Sequence, residues 1–266
     1  MSRPWKSELR VRLRTSRCDA VMRRGNWRPR ALAAAGAEGK PAESLAAAIG
    51  GVRESLARLG DATWHASSRP AVTLSVPDER VYYALLPARG PWAQQQSQAR
   101  AYFETALGRD SLTVRAALLP HGGHWLAAAV ESDDVLQWRS SVDAAGAKLA
   151  QLRPALADDL SLLCVDRSVA DALLVLLRDE GASLVRLHGL HPAALSWLRV
   201  GPHDASGLLR GVRAFALGAP PVRDDAPVIL LPQDDAQRQR WTVAAAHCGW
   251  ELRAPLHPFS AEGRPS

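Results

Sequence analysis

A chain of 266 residues, 47% hydrophobic and 23% charged, has the composition of an ordinary soluble globular protein and is long enough for two lobes. Its three cysteines, Cys18, Cys164 and Cys248, are far apart and in no CxxC or CxxH pairing, which excludes a disulfide framework and a structural zinc site. The net charge of +6 comes almost wholly from arginine, with Lys6, Lys40 and Lys148 the only lysines, and no apolar run approaches the roughly 18–20 residues of a membrane-spanning helix.

Along the chain, Leu9, Val11 and Leu13 alternate with Arg10, Arg12 and Arg14, which predicts a first strand over 9–14 with one apolar and one basic face. A second strand is predicted over 18–24, ended by Gly25 and Asn26. A third is predicted over 27–33, from which Arg28 and Arg30 join the basic face, and residues 36–40 read as a loop. Leu45, Ile49, Val52, Leu56 and Leu59 then recur at helical spacing, between Pro41 at the start and Gly60 at the end. A strand over 72–76 follows.

Next come a strand over 81–86, a helix over 94–107 and a hairpin of 112–118 and 125–130, a small β-α-β-β insertion at about 81–130. A further helix starts at Ser132, an N-cap followed by Asp133 and Asp134, which suit the positive helix end. In the second half, strands over 173–177 and 184–188 flank the turn Arg178-Asp179-Glu180-Gly181. A third strand over 194–200, a helix over 204–217, a strand over 228–231, a helix over 234–248 and a short strand over 250–253 complete the order.

Both halves therefore open β-β-β-α-β, a meander followed by a crossover helix and a parallel strand. That is the core of a ribonuclease-H-like unit, and two in tandem build the actin-like fold. The predicted class is α/β and actin-like, with a first lobe over 1–169 carrying the insertion, a second over 170–254 and a flexible tail over 255–266. At this point the sequence resembles the cytoplasmic actin-like proteins of type IV pilus and type II secretion assembly platforms, the PilM-like and secretion-protein-L-like group. LRVRLRTSRCDAVMRRG (9–25) resembles their first hairpin, VYYALLPARGPWAQQQSQARAYFETALG (81–108) a strand–proline–helix stretch, and WLAAAVESDDVLQW (125–138) the strand and helix after it.

The resemblance implies a non-catalytic scaffold, cytoplasmic and peripheral to an inner membrane. Its implied partner is a bitopic membrane protein whose short cytoplasmic segment binds beside the insertion. A second copy of the chain is a further candidate partner. No cofactor and no nucleic acid are expected, and the membrane is reached only through the partner.

An actin-like ATPase holds phosphates with two hairpin turns rich in Asp and Gly. In the first position this chain has Leu13-Arg14-Thr15-Ser16, where the carboxylate is gone and Arg14 stands in place of glycine, so backbone N–H groups cannot readily approach a phosphate. In the second it has Leu176-Leu177-Arg178-Asp179-Glu180-Gly181, whose acidic pair repels a triphosphate. The adenosine-side Gly-Gly is missing too, only the single glycines Gly201, Gly207 and Gly211 lying nearby. Loss of nucleotide binding is the expectation.

His121-Gly122-Gly123-His124 is half a metal pair at best and suits a hairpin turn, as do His188 and His191 around Gly189. The carboxylate pairs Asp158-Asp159, Asp224-Asp225 and Asp234-Asp235 have no spacing that selects a catalytic role. Among nine tryptophans, Trp64, Trp92 and Trp138 fall near loops or helix surfaces, where tryptophan often marks an interface. The sharper feature is the basic face of Arg10, Arg12, Arg14, Arg28 and Arg30, whose mutual repulsion an acidic partner or anionic lipid would relieve. Two other readings compete: a sugar or acyl-phosphate kinase of the same superfold, and nucleic-acid binding through the arginine face. A nuclease needs acidic metal ligands on the first and fourth strands, and residues 9–14 and 72–76 supply none.

Overall fold

The computed structural model describes residues 7–25, 30–61, 64, 69–87, 90–118, 124–218 and 226–256. In chain order the elements are β1 (Ser7–Leu13), β2 (Arg17–Arg24), β3 (Arg30–Glu38), α1 (Pro41–Arg58), β4 (Ala71–Val76), β5 (Tyr82–Pro87), α2 (Trp92–Leu107), β6 (Leu112–Leu118) and β7 (His124–Glu131). There follow α3 (Ser132–Ala144), β8 (Lys148–Pro154), α4 (Ala155–Leu163), β9 (Leu173–Leu177), β10 (Gly181–His188), β11 (His191–Arg199), α5 (Ala205–Gly218), β12 (Val228–Leu231), α6 (Asp235–Cys248) and β13 (Glu251–Leu252). No helix among the described residues is long and apolar enough to cross a membrane.

Two five-stranded sheets carry the same order, β3-β2-β1-β4-β8 and β11-β10-β9-β12-β13. In each, the first three strands pair antiparallel and the last two add in parallel. This is the duplicated ribonuclease-H-like order. The repeat is more complete than the predicted order, which lacks β8 and α4. β8 alternates between exposed and half-buried residues without a fully buried face, so its only firm signal is the ladder to β4.

The chain divides into two compact units, one formed by 7–77 and 132–154 and the other by 78–131 and 155–256 among the described residues. In the first unit, α1 lays Leu45, Ala48, Ile49, Val52 and Leu56, all fully buried, against β2 and β3 and against α3. Each such large aliphatic side chain contributes about 1.5–3 kcal/mol on burial. Trp138 of α3 is 2% exposed and Trp64 is 7% exposed, so neither is a surface anchor; Trp92 is exposed. β3 runs on into the predicted loop as far as Glu38, its ladder with β2 extending from Arg24 opposite Arg30 to Arg17 opposite Glu38, and only Gly39 and Lys40 remain outside the strand. At Gly36 a Cβ would sit 3.0 Å from the Asp19 carboxylate across the ladder, so that side chain would have to give by a few tenths of an ångström.

In the second unit, every residue of β9 is buried, because both faces of the sheet are covered. Leu174 and Leu176 join Leu156, Leu160 and Leu163 of α4, while Leu173, Val175 and Leu177 join Leu208, Val212 and Trp241 of α5 and α6. The small sheet β5-β7-β6 packs one face on Ala99 and Phe103 of α2. Its other face sends Tyr83, Leu85 and Leu126 into the core built by α4 and β9. Residues 81–130, predicted as an insertion of the first lobe, interrupt that half in the chain but group with the second unit, through this burial.

Candidate functional site

Two places merit scrutiny: the arginine-bearing strands of the first unit and the β9–β10 turn of the second. The predicted basic face does not form as a set. Arg10 is exposed and pairs with Glu8 at 3.0 Å, an acidic neighbour two residues away on the same face. Arg12 is only 8% exposed and stands opposite Asp19 of β2. Arg14 lies beyond the end of β1, in the turn to β2, where its N–H donates to the Arg17 carbonyl at 2.8 Å. Arg30 stands opposite Arg24, itself opposite Ser7, and so shares the phase of Leu9 rather than that of Arg10. Arg28 lies outside the described residues.

What the β1–β2 face presents is a mixed field. Arg17 pairs with Asp19 at 2.8 Å, and Thr73 of β4 donates to Glu8 at 2.9 Å. Burial, and then the proximity of Arg10, lower the Arg23 guanidinium from its usual value, with Glu8 partly offsetting them. Like charges do crowd here, but acids are threaded among them.

The β9–β10 turn is tied into a buried polar network whose members no sequence motif links. Asp78, directly after the first stretch of the other unit, is 2% exposed and uses both carboxylate oxygens. Its Oδ1 accepts from the Tyr83 hydroxyl at 2.6 Å and from the Leu156 N–H in the first turn of α4 at 3.0 Å. Its Oδ2 accepts from Arg178 Nε at 2.6 Å and from the Ser183 hydroxyl of β10 at 2.7 Å. The other end of the guanidinium donates through Nη2 to Asp159 of α4 at 2.6 Å. Burial works against the Arg178 charge, but the two carboxylates outweigh it and raise its pKa above the ordinary arginine value.

The turn itself is held from outside and inside. Gln237 of α6 donates its side-chain amide to the Arg178 carbonyl at 3.0 Å. Glu79 Oε1 accepts from the backbone N–H groups of Asp179 and Glu180, at 3.0 and 3.1 Å. Burial raises the Glu79 carboxyl above the usual glutamate range, and the backbone N–H groups of Glu79 and Glu180 and the charge of Arg178 offset that only in part. Neither Asp179 nor Glu180 has a positive φ, and Gly181 does not either. Gly181 is required for another reason: a Cβ would run into the Leu198 carbonyl and stand 2.9 Å from the Trp197 ring of β11. The one glycine left in the expected phosphate turn is thus a packing glycine.

Remaining candidates resolve into structure. Asp234 caps α6 by accepting from Gln237 N–H at 2.8 Å, and Asp204 caps α5 by accepting from Gly207 N–H at 2.8 Å. Asp224, Asp225, His121, Gly122 and Gly123 lie outside the described residues. Among the described residues no three His, Cys, Asp or Glu side chains gather as metal ligands would. Cys18 and Cys164 are buried, and burial raises the Cys164 thiol to about 11.

No protein-family model and no curated protein matches the chain. Solved structures do. The chain is similar to the PilM-PilN type IV pilus biogenesis complex, at 16% identity and a TM-score of 0.65, covering 96% of this chain and 90% of that one. It is similar to a Bacteroides thetaiotaomicron protein with an actin-like ATPase fold and unknown function, at 11% identity and a TM-score of 0.58 over 93% and 90%. It is also similar to the cytoplasmic domain of EpsL, an inner membrane component of the type II secretion system of Vibrio cholerae, at 11% identity and 0.52 over 85% and 82%. At these identities the likeness establishes the fold, which is α/β and actin-like.

Proposed function

We propose that this chain is a non-catalytic cytoplasmic scaffold of a type IV pilus-like or type II secretion-like inner-membrane assembly platform, where it binds the cytoplasmic segment of a bitopic membrane protein. The observation that carries this reading is the fold likeness to the PilM-PilN complex over 96% of the chain, with the EpsL cytoplasmic domain second in kind. Fold likeness is an analogy of architecture, and the local chemistry supplies independent support for the non-catalytic part. The β1–β2 turn contains no glycine and no carboxylate, and the N–H groups of the β9–β10 turn are engaged by Glu79. Membrane association in this reading runs through the partner.

Calorimetric titration of the full chain with a synthetic peptide, taken from the cytoplasmic segment of a single-span membrane protein encoded beside it, tests the proposal. Saturable binding at a defined stoichiometry is expected. A chain that ignores every such peptide yet hydrolyses ATP would sink the reading in favour of the kinase alternative.

A further inference from the structure

We infer that the second unit holds a carboxylate-binding site at Arg186 of β10, at the opposite end of the β9–β10 hairpin from its turn.

Residues of β10 alternate between two cores. Ala182 and Leu184 join the core of α5 and α6, and Val185 and Leu187 join that of α4. Arg186 falls in the phase of Ala182 and Leu184, opposite Leu173 of β9 and Ala194 of β11, where an apolar side chain would continue the pattern. The residue is only 8% exposed, and its Nε is buried with no hydrogen-bond partner. Among the described residues no hydrogen bond or ion pair includes Arg186. Burying a guanidinium is unfavourable unless its donors and charge are matched. Arg178 of the same unit meets that condition with two carboxylates. Arg186 does not.

Asp171 acts on Arg186 through space without pairing with it. Burial lowers the Arg186 guanidinium from its usual value, and the Asp171 charge offsets that only in part. The Asp171 carboxylate is committed elsewhere. Its Oδ1 accepts from the Gly189 N–H at 2.7 Å and lies 3.5 Å from His188 Nδ1. Its own N–H donates to the Gly189 carbonyl at 3.0 Å, and its φ of 59° is the one positive value at a non-glycine among the described residues. Backbone strain of this kind gathers at binding sites. The β10–β11 register also shifts between Arg186 and Leu187, an irregularity of the sort that re-aims a side chain.

The guanidinium selects the ligand class. Its Nε and one Nη lie in a plane and match the two oxygens of a carboxylate. The nearby Asp171 charge disfavours a second negative charge on the ligand, so a carboxylate monoanion is preferred to a phosphate dianion. A free small acid and the acidic side chain of a peptide carry the same group.

The test uses the full chain labelled with ¹⁵N. It is titrated with sodium acetate and, separately, with tetraglutamate, while sodium chloride holds the ionic strength constant. The Arg186 Nε–H resonance, identified by its loss in Arg186→Met, is expected to shift and saturate. A response to acetate assigns the site to small free acids, and a response to tetraglutamate alone assigns it to an acidic segment; either supports the inference. No saturable shift with either probe overturns it, because ordered water then satisfies Nε. Sodium phosphate acting at lower concentration than acetate overturns the carboxylate assignment. As a second readout, acetate should raise the wild-type melting temperature above the chloride blank and leave that of Arg186→Met unmoved. An equal rise in both overturns the site. If the variant does not fold, the wild-type arginine resonances decide: a saturable shift of one buried Nε–H supports the site, and none overturns it. The scaffold role is independent of this site, since silence of Arg186 leaves peptide binding by the platform partner untouched.

Discussion

Arg178 Nε lies 2.6 Å from Asp78 Oδ2 across a hundred residues of sequence, and neither side chain is more than 2% exposed. With Asp159 at 2.6 Å on the far side of the guanidinium, one cation is shared by two buried carboxylates. Removing a single member of such a group leaves uncompensated charge and costs about 3–5 kcal/mol, whereas neutralising the whole group costs far less. Arg178→Ala should therefore lower the unfolding free energy by about 3–5 kcal/mol in urea titrations. The triple variant Asp78→Asn, Asp159→Asn, Arg178→Met should be more stable than Arg178→Ala alone. The reverse order would mean that the network is not held by charge.

The Glu79 carboxyl gives a pH signature with a definite sign. Its pKa is raised in the folded state, mainly by burial, so the folded chain holds this proton more tightly than the unfolded chain does. The stability linked to that proton is fully present below the unfolded glutamate value and is lost as pH rises through the raised folded value. Glu79→Gln has no proton to lose there. Its stability should decline less than that of the wild type as pH rises across this window, measured by urea midpoints at closely spaced pH values. Parallel curves would show that Glu79 carries no shift.

Arg10 and Arg12 look equivalent in sequence and should behave differently. Arg10→Glu alters an exposed side chain in a surface pair and should change stability by no more than about 1 kcal/mol. Arg12→Glu puts a carboxylate at a position 8% exposed and opposite Asp19, and a loss of about 3 kcal/mol or more is expected. Chemical denaturation of the two single variants checks this. Partner-binding assays on the β1–β2 face should therefore use Arg10→Glu, since reversing Arg10, Arg12 and Arg14 together confounds binding with folding.

Gly181→Ala should cost about 1–3 kcal/mol through overpacking, because the new methyl meets the Leu198 carbonyl and the Trp197 ring. A thermal melt unchanged from the wild type would show that β11 can shift away without penalty.

ATP with magnesium should give no measurable heat on calorimetric titration of the wild type. The first turn lacks a glycine and a carboxylate, and the second has its N–H groups engaged by Glu79. A dissociation constant below about 100 μM, roughly −5.5 kcal/mol, would contradict the expectation.

Most of the order of elements, and with it the fold, is legible in the amino-acid sequence. The helical recurrence of Leu45, Ile49, Val52 and Leu56 and the unbroken apolar run of β9 report burial locally, because backbone geometry sets periods of 3.6 and 2 that any single segment displays. β8 carries no such signal, because an edge strand buries no continuous face. The polar site was decided only by tertiary structure. Asp78 and Glu79, Asp159, and Arg178 and Ser183 come from three separate stretches of the described chain, the turn after β4, α4 and the β9–β10 hairpin, and no period or motif links them. Arg10 and Arg12 make the same point in one strand: alternation predicts that they share a face, but how deeply each is covered depends on what packs above it. A hydrophobic pattern is a property of one segment, whereas the pairing of a buried charge depends on which distant segments the folded topology brings within hydrogen-bond reach.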